Sequence, residues 1–419
     1  MLARTLEEIQ STSSRRAVYM WGVFAVLAIS FVVKIAWFSR LGIWHDRNLV
    51  DFDVFYIVAQ KVWLGGLDQI YQFADLLKIQ REASGGQAGF LPWTYPPQFD
   101  FLLAPLGLIP ANVAYVLFTA ATFAFYIAVL RSISGIYFVL LLVVLFPTMG
   151  ITIACGQNGF LTGGLIGLIC LYFGERPVVA GLALGLMVIK PHLAIAFAAY
   201  AALKRSWTVL ATAGAVVLVS SAVCTAIFGA QIWVAFFRSV QDSSNFLEQG
   251  FYPLFRMISV YAALRTSGLS ALAAFLGQAV IAVLLLGLIP FALYRRLPAR
   301  SVLGLTAAVS VCISPYAYDY DFLIFGIGLA MLLPALRAGA SELERGIIYA
   351  SPIVIGAYGN ARSAQIGAST DISYVDVLSI GGFVIVASIA LMALILMRNS
   401  SSETPDLLST KKLLATGLR

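Results

Sequence analysis

Charged side chains are scarce in this chain. Of its 419 residues, 27 are Lys or Arg and 20 are Asp or Glu, so only 11% are charged. Soluble domains carry roughly 25%. Hydrophobic residues make up 60% of the chain, and its mean hydropathy is +0.90. Because so few charges cannot cover the surface of a soluble globule of this size, the composition excludes a soluble protein and predicts a polytopic membrane protein.

Cysteine and histidine are also rare. The four cysteines lie in apolar stretches without partners at metal-ligand spacing, so we expect free, structural thiols (Cys155, Cys170, Cys224 and Cys312). His45 and His192 are too far apart in the sequence to suggest an imidazole metal site. The net charge of +7 comes from basic residues dispersed between apolar segments. This pattern predicts no nucleic-acid partner, and we expect no metal and no cofactor.

Apolar segments of about 20 residues, the length that crosses a bilayer as a helix, recur along the chain. The first, 17–39, is longer than the apolar part of a signal peptide and follows two glutamates, so we interpret it as a retained span. Further predicted spans are 112–130, 136–153, 159–173, 207–226, 271–293, 299–314, 321–336, 344–357 and 374–397. Segment 177–203 is apolar but is interrupted by Lys190 and Pro191, which predicts a hairpin of two short helices whose turn lines a cavity below the membrane surface.

Basic residues in the short connections gather on one side of the predicted spans. By the positive-inside rule, this side is cytoplasmic. The pattern predicts about twelve spans, a cytoplasmic tail at 1–16, a membrane domain at 17–397 and a second cytoplasmic tail at 398–419. The proline-rich segment 94–111 is either a re-entrant helix or a second span.

Two long segments, 40–93 and 227–270, are predicted to be extracytoplasmic. Polar loops of this length are uncommon unless they have a function. Within the first, 51–64 and 67–81 are predicted to be amphipathic helices that lie on the membrane surface, separated by Gly65 and Gly66.

Asp51 and Asp53 stand where the first of these helices begins. Two residues apart on a helix is about 200°, so only one of the two carboxylates can face a site in the bundle. Such a carboxylate is either a general base that deprotonates an acceptor hydroxyl or an ordinary helix cap.

Four other segments each have a structural and a functional interpretation. Residues 90–97 (FLPWTYPP) form either an interfacial aromatic belt or a rigid wall of a substrate site that includes Tyr95. Residues 156–159 (GQNG) form a turn, and the amides of Gln157 and Asn158 are also suited to bind a sugar.

Lys190, with His192 nearby, is costly at membrane depth and therefore needs a partner, such as a lipid-linked phosphate, unless it snorkels from the turn. Residues 314–321 (SPYAYDYD), with Tyr318 and Asp319, are suited either to sugar binding or to an interfacial belt. Arg238, Arg256 and Arg265 in the second long loop are either phosphate contacts or solvated charges.

Six short motifs follow one another in a recognisable order: residues 50–56 (VDFDVFY), 93–97 (WTYPP) with 104–110 (APLGLIP), 156–161 (GQNGFL), 180–186 (AGLALGL), 190–191 (KP) and 316–321 (YAYDYD). Together they resemble the bacterial glycosyltransferase family 87 of the GT-C superfamily over roughly residues 18–335. The resemblance implies a bundle of membrane helices, an extracytoplasmic active site beneath the first long loop, and inverting transfer of a sugar from a polyprenyl phosphate. It also implies that Asp51 is the base, since the family tolerates other residues at the position of Asp53. Asp53 stays the alternative because of its place at the start of the same helix.

The sequence therefore predicts an integral-membrane glycosyltransferase of the bacterial inner membrane. Its donor would be a polyprenyl-phosphate sugar, with mannose as the first candidate, and its acceptor a lipid or glycan. The predicted site consists of Asp51 with Tyr95, Gln157, Asn158, Lys190, His192, Tyr318 and Asp319. The alternatives are a secondary transporter or flippase of a lipid-linked sugar, and a non-catalytic protein that binds one.

Overall fold

A computed structural model describes residues 1–41, 48–86, 90–366 and 373–402, so His45 lies outside the described residues. These residues form nineteen α-helices, several short 3-10 turns and no β-strand. The prediction of an all-α polytopic membrane protein is confirmed.

The helices, in chain order, are α1 (Leu2–Glu8), α2 (Ser13–Leu41), α3 (Asp51–Leu64), α4 (Leu67–Ile70), α5 (Phe73–Ala83), α6 (Pro97–Leu103), α7 (Ala111–Ser134), α8 (Phe138–Cys155), α9 (Gly159–Tyr172), α10 (Pro177–Leu186), α11 (Ile195–Leu203), α12 (Trp207–Phe228), α13 (Gln231–Gln249), α14 (Val260–Thr266), α15 (Ala271–Tyr294), α16 (Ala299–Ser310), α17 (Leu323–Gly339), α18 (Glu342–Ile366) and α19 (Gly381–Ser402).

Six helical segments of the described chain are long and apolar enough to cross a membrane: Ser13–Phe38, Ala111–Cys155, Trp207–Phe228, Ala271–Tyr294, Asp319–Gly339 and Gly381–Asn399. The second contains both α7 and α8, joined by a 3-10 turn at Gly135–Tyr137. Other predicted spans correspond to shorter or more polar helices, namely α9, α16 and α18. The exact number of spans, about twelve from the sequence, stays a prediction.

The predicted hairpin at 177–203 is present. Helix α10 gives way to a 3-10 turn at Met187–Ile189, and a second 3-10 turn at Pro191–Leu193 precedes α11. Lys190 lies between the turns with φ −140° and ψ 71°, outside the helical region. Pro191 explains the break, because proline disfavours helical geometry in the residue before it.

The proline-rich segment 94–111 does not form a full span. It contains α6, of seven residues, and a five-residue 3-10 turn at Ala104–Leu108. An α-helix of seven residues is only about 10 Å long, far shorter than a bilayer core. The segment packs closely on α3, since a Cβ on Gly107 would lie 2.4 Å from the carbonyl oxygen of Ala59.

The first long loop differs from the prediction in two respects. Helix α3 has the predicted bounds, but its residues from Phe52 to Ala59 are all buried, so it is covered by protein and does not lie exposed on a surface. The second predicted helix is divided into α4 and α5, because Gln72 adopts an extended conformation. Helix α5 is amphipathic, as predicted, and buries Leu76, Gln80 and Ala83.

The two ends of the helical bundle are distinguished by α17. This helix starts just after a 3-10 turn at Asp319–Phe322, and near its other end Arg337 forms an ion pair with Glu7 of α1 at 3.7 Å. Glu7 also pairs with Arg345 of α18 at 2.8 Å. Helix α1 is therefore fixed at one end of the bundle. Asp319 lies at the opposite end, where the polar side chains described next converge.

Candidate functional site

Asp51 occupies the first turn of α3 and is partly buried. Its carboxyl lies within electrostatic reach of Arg256, Asp319 and Lys190, and Gln157 hydrogen-bonds to it. Asp53 has a different environment, because its Oδ2 accepts a hydrogen bond from the backbone N–H of Val50 at 2.8 Å and it is fully buried. Asp53 thus caps its own helix, and Asp51 is the carboxylate of this pair that faces the other polar groups.

The turn at 156–159 connects α8 to α9 and touches both acidic segments. Gly156 has φ +64°, and a Cβ there would lie 2.5 Å from Cβ of Phe52, next to Asp51. A Cβ on Gly159 would lie 2.2 Å from the carbonyl oxygen of Tyr320. The two glycines therefore allow the turn to approach α3 on one side and the 3-10 turn at Asp319–Phe322 on the other.

Gly159→Ala is expected to disrupt the site. The new methyl group would overlap a backbone oxygen that cannot rotate away, so α9 and the 3-10 turn must separate. We expect a lower melting temperature in detergent and loss of activity. Gly150→Ala is the matched control, because a Cβ on Gly150 of α8 has nothing within 4 Å. Equal stability of the two variants would contradict the close approach at Gly159.

The amide orientation of Gln157 follows from its neighbours. Its Oε1 accepts hydrogen bonds from the hydroxyl of Tyr95 and from the backbone N–H of Asn158, both at 3.1 Å. The amide NH₂ is therefore the group that donates to Asp51. Asn158 is fully buried, and among the described residues its side-chain amide has no hydrogen-bond partner. Gln157 thus links the aromatic segment at Tyr95 to the carboxylate of Asp51.

Lys190 forms a buried ion pair. Its Nζ lies 2.7 Å from Oδ1 of Asp321, and the two side chains are 7% and 1% exposed. The partner that a lysine at this depth requires is therefore a carboxylate of the chain itself, 131 residues away. Lys190 points inward and does not snorkel away from its turn.

Arg256 forms a second ion pair at the same place. Its Nε and a terminal nitrogen lie 3.0 and 2.9 Å from the two carboxylate oxygens of Asp319, a bidentate geometry that favours strong charge-assisted bonds. The same guanidinium also reaches Sγ of Cys155 at 3.3 Å. Arg256 is only 16% exposed, so the interpretation as a solvated loop charge is wrong for this residue.

Tyr320 lies between the two cations. Its ring centroid is 4.7 Å from Nζ of Lys190 and 5.8 Å from Cζ of Arg256. The ring of Tyr318 stacks on it at 5.2 Å with an interplanar angle of 11°, and Tyr95 lies 5.9 Å from Lys190 on another side. Tyr95 and Tyr320 thus lie against the cations, and Tyr318 lies against Tyr320.

The polar groups differ in how accessible they are. Asp51, Tyr95, Tyr318 and His192 are partly exposed, whereas the carboxylates of both ion pairs are buried. Within the described residues, Nε2 of His192 is buried and has no hydrogen-bond partner. A ligand would therefore meet Asp51 and the tyrosines first, with the ion pairs behind them.

Asp100, a costly charge in an apolar segment, has a structural role. Trp93 Nε1 donates to its Oδ1 at 3.0 Å, and the hydroxyl of Tyr71 donates to its Oδ2 at 2.6 Å. Burial raises the pKa of Asp100 to about 7 despite these two hydrogen bonds. Trp93 is itself 2% exposed, so this part of the aromatic segment is core and not an interfacial belt.

Burial also raises the pKa of Asp51 above its ordinary value. The positive charge of Arg256 and the hydrogen bond from Gln157 act in the opposite direction, because both favour the ionised form. Because its pKa is raised, Asp51 is a stronger base than an exposed aspartate. Arg256 and Gln157 still favour its ionised form. Such a carboxyl is suited to accept a proton.

Of the predicted site residues, Asp51, Tyr95, Gln157, Lys190 and Asp319 lie together, and Tyr318 stacks beside them on Tyr320. Asn158 and His192 are close in the chain to Gln157 and Lys190, but in the described structure the side-chain amide of Asn158 and Nε2 of His192 make no hydrogen bond to this group. Three further residues lie at this site but were not in the predicted set: Arg256, Tyr320 and Asp321. The last two belong to the 316–321 motif, whose alternation of Tyr and Asp was the available signal. Arg256 was considered as a phosphate contact together with Arg238 and Arg265, but no sequence signal distinguished it from these two. In the structure Arg238 is exposed, and Arg265 donates to the carbonyl of Leu269.

Two of the three carboxylates of the site, those of Asp319 and Asp321, are balanced by basic side chains. In the described parts of the chain, no group of three or more His, Cys, Asp or Glu side chains has an arrangement that could hold a metal ion. Asp319 and Asp321 instead each pair with a cation of the chain.

Carboxylates, cations and tyrosines thus converge at one end of the helical bundle. The profile of glycosyltransferase family 87 matches residues 93–315, more than half of the chain. The chain belongs to this family and is a membrane glycosyltransferase, and its architecture fits the GT-C superfamily. The match includes Tyr95, Gln157, Lys190 and Arg256, and lies between Asp51 and the Asp319–Phe322 turn. Comparison with curated proteins and with solved structures gives no significant match.

Proposed function

We propose that the protein transfers a hexose, with mannose as the first candidate, from a polyprenyl-phosphate donor to a lipid or glycan acceptor. The observation that carries this proposal is the position of Asp51. Its carboxylate lies beside the amide of Gln157 and within electrostatic reach of two buried cations, and no ion pair of the described residues involves it. A base beside positive charge is the pairing that an attack by a hydroxyl with departure of a phosphate requires.

The proposed reaction is a single displacement that inverts the anomeric carbon. Asp51 accepts the proton of the acceptor hydroxyl as its oxygen bonds to the anomeric carbon, and the bond from that carbon to the phosphate oxygen breaks. The polyprenyl phosphate leaves with the electron pair as an anion, so no general acid is needed. Lys190 and Arg256 stabilise this anion, while Tyr95 and Tyr318 contact the sugar. No metal or cofactor enters the proposal.

The distribution of basic residues supports an orientation for this site. Arg337, Arg345 and Arg398 lie at the end of the bundle opposite to Asp319, where Arg337 and Arg345 contact Glu7 and Arg398 contacts Glu344. Since basic residues accumulate on the cytoplasmic side, we place both termini there. The site then faces the periplasm of a bacterial inner membrane, where lipid-linked sugars are the expected donors.

A donor comparison tests the function. Purified protein in proteoliposomes is given labelled mannose either as polyprenyl-phosphate mannose or as a nucleotide sugar, with a bacterial lipid extract as acceptor. We expect labelled product from the lipid-linked donor alone. Product from the nucleotide sugar would overturn the proposed donor class. Accumulation of labelled donor across the membrane without any product would instead support the transporter alternative.

The raised pKa of Asp51 predicts the pH dependence. As pH falls, Asp51 takes up a proton at a pH above 3.8, its ordinary value, and transfer is lost there because the protonated carboxyl is not a base. Gln157→Leu removes a hydrogen bond that favours the charged form, so this acidic limb should move to higher pH. The measurement is kcat/KM against pH.

Asp100→Asn is the control for this profile. Asp100 titrates at about 7 and would otherwise contribute to the acidic limb. If the limb disappears in Asp100→Asn and is unaffected by Gln157→Leu, the pH dependence does not belong to Asp51.

A further inference from the structure

Helix α13 in the second long loop has an outer face that changes character along its length. The helix follows α12, a membrane-spanning candidate, after a connection of only two residues, Gly229 and Ala230. Its first residues are therefore fixed close to the level at which α12 ends.

The inner face of α13 is attached to the protein. Ile232 is 2% exposed and Leu247 is 4% exposed. Nε1 of Trp233 donates to the hydroxyl of Thr225 at 2.8 Å. The ring of Phe236 packs edge-on against that of Tyr71, with the two ring centroids 6.1 Å apart. These contacts determine which side of the helix is turned outward.

The outer face follows residues spaced three and four apart, which lie in one stripe on a helix. In order along the helix, the stripe consists of Val234, Phe237, Gln241, Ser244 and Glu248, all exposed. Val234 and Phe237 are 53% and 64% exposed, and Val240 beside them is 43% exposed. The stripe is thus apolar over its first half and polar over its second half.

This change excludes two simple arrangements. A helix that lies in the membrane surface shows an apolar face along its whole length, and a fully solvated helix does not expose a cluster of large apolar side chains. Helix α12, the membrane-spanning candidate directly before α13, exposes large apolar side chains too: Leu218, Val219 and Ile227 are 72%, 63% and 55% exposed. Arg238, exposed beside Phe237, provides a cation at the level where lipid phosphates lie.

We propose that α13 binds the lipid surface obliquely: residues 231–240 contact the interfacial layer of the bilayer, and residues 241–249 rise into water. The occupant of the apolar half is lipid, because this half follows within two residues of a membrane-spanning candidate whose own apolar side chains are exposed. This surface is distinct from the site at Asp51 and does not depend on the proposed reaction.

The contacts on the inner face of α13 connect its lipid-binding half to the site around Asp51. Phe236 contacts Tyr71, whose hydroxyl is 3.0 Å from the carbonyl oxygen of Tyr95. Tyr95 in turn reaches Gln157. The first half of α13 therefore marks the height of the bilayer surface relative to the groups that surround Asp51.

Spin labels on single introduced cysteines test the proposal in the full-length protein, reconstituted in phosphatidylcholine–phosphatidylglycerol vesicles. The variants are Val234→Cys, Phe237→Cys, Gln241→Cys, Ser244→Cys and Glu248→Cys. The wild-type protein, labelled in parallel, gives the background from the four native cysteines. The measured quantity is the logarithm of the ratio of collision with oxygen, which concentrates in lipid, to collision with a water-soluble nickel chelate.

We expect this logarithm to be positive at positions 234 and 237 and negative at 244 and 248, with the change of sign near 241. Negative values at all five positions would overturn the proposal in favour of a solvated helix. Positive values at all five would overturn it in favour of a helix lying in the membrane surface. Low collision with both reagents at 234 and 237 would show that another protein covers this face, and would also overturn it.

Discussion

Asp51→Asn is expected to lower the rate of sugar transfer by about 10²–10⁴-fold, the range that a positioned general base contributes. Asparagine keeps the size and the hydrogen-bonding capacity of aspartate but cannot accept the proton of the acceptor. Since Asp51 has no ion-pair partner among the described residues, its replacement leaves no buried cation without a counter-charge. The variant should therefore retain the melting temperature of the wild type and lose transfer.

Asp53→Asn is the matched control, because it makes the same chemical change two residues away. Asp53 accepts the N–H of Val50, and the side-chain oxygen of asparagine can accept the same bond, so the cost in stability should be smaller than the about 0.5–2 kcal/mol of losing a cap altogether. Transfer by the folded fraction should persist. If Asp53→Asn abolished transfer and Asp51→Asn did not, Asp53 would be the base.

Removal of one partner of the Lys190–Asp321 pair is expected to destabilise the protein strongly. Asp321→Leu leaves an unpaired ammonium in a site where both side chains are at most 7% exposed, and breaking such a pair costs about 3–5 kcal/mol. Lys190→Met leaves the carboxylate unpaired with a similar cost. Both single variants should show a clearly lower melting temperature in detergent and little transfer.

The double variant Lys190→Met with Asp321→Leu separates structure from chemistry. Replacing both charges by apolar groups removes the penalty of an unpaired charge, so we expect stability to recover in large part. Recovery should be incomplete, because Asp321→Leu also removes the acceptor of the backbone N–H of Tyr318. Transfer should not recover, because the cation that stabilises the leaving phosphate is absent. A double variant that is both stable and active would show that this ion pair only holds the fold together.

The local features of the site were predictable from the sequence. Asp51 marks the start of α3 because an acidic residue suits the first turn of a helix, and Pro191 explains why the hairpin is broken at Lys190. Gly156 and Gly159 indicated the turn between α8 and α9. Each of these features depends on interactions between residues close together in the chain.

The pairing of charges was not predictable in the same way. Lys190 and Asp321 are 131 residues apart, and Arg256 and Asp319 are 63 apart. Which arginine of the second loop turns inward depends on how α13 and α14 pack, and no local pattern distinguishes Arg256 from Arg238. The burial of α3 was missed for a similar reason, because the helices that cover it come later in the chain.

The separation between Lys190 and Asp321 also has a consequence for the biogenesis of the protein. Ribosomes add about 5–20 residues per second, so Lys190 is synthesised roughly 7 to 26 seconds before Asp321, which is 131 residues further along the chain. During this interval the hairpin at 177–203 has to be accommodated in or beside the insertion machinery with an unpaired lysine. The 3-10 turn at Asp319–Phe322, which supplies the counter-charges for both Lys190 and Arg256, therefore completes the site late in synthesis. A nascent chain that ends before this turn would present two buried cations without partners, a feature by which membrane quality control can distinguish unfinished chains from finished ones.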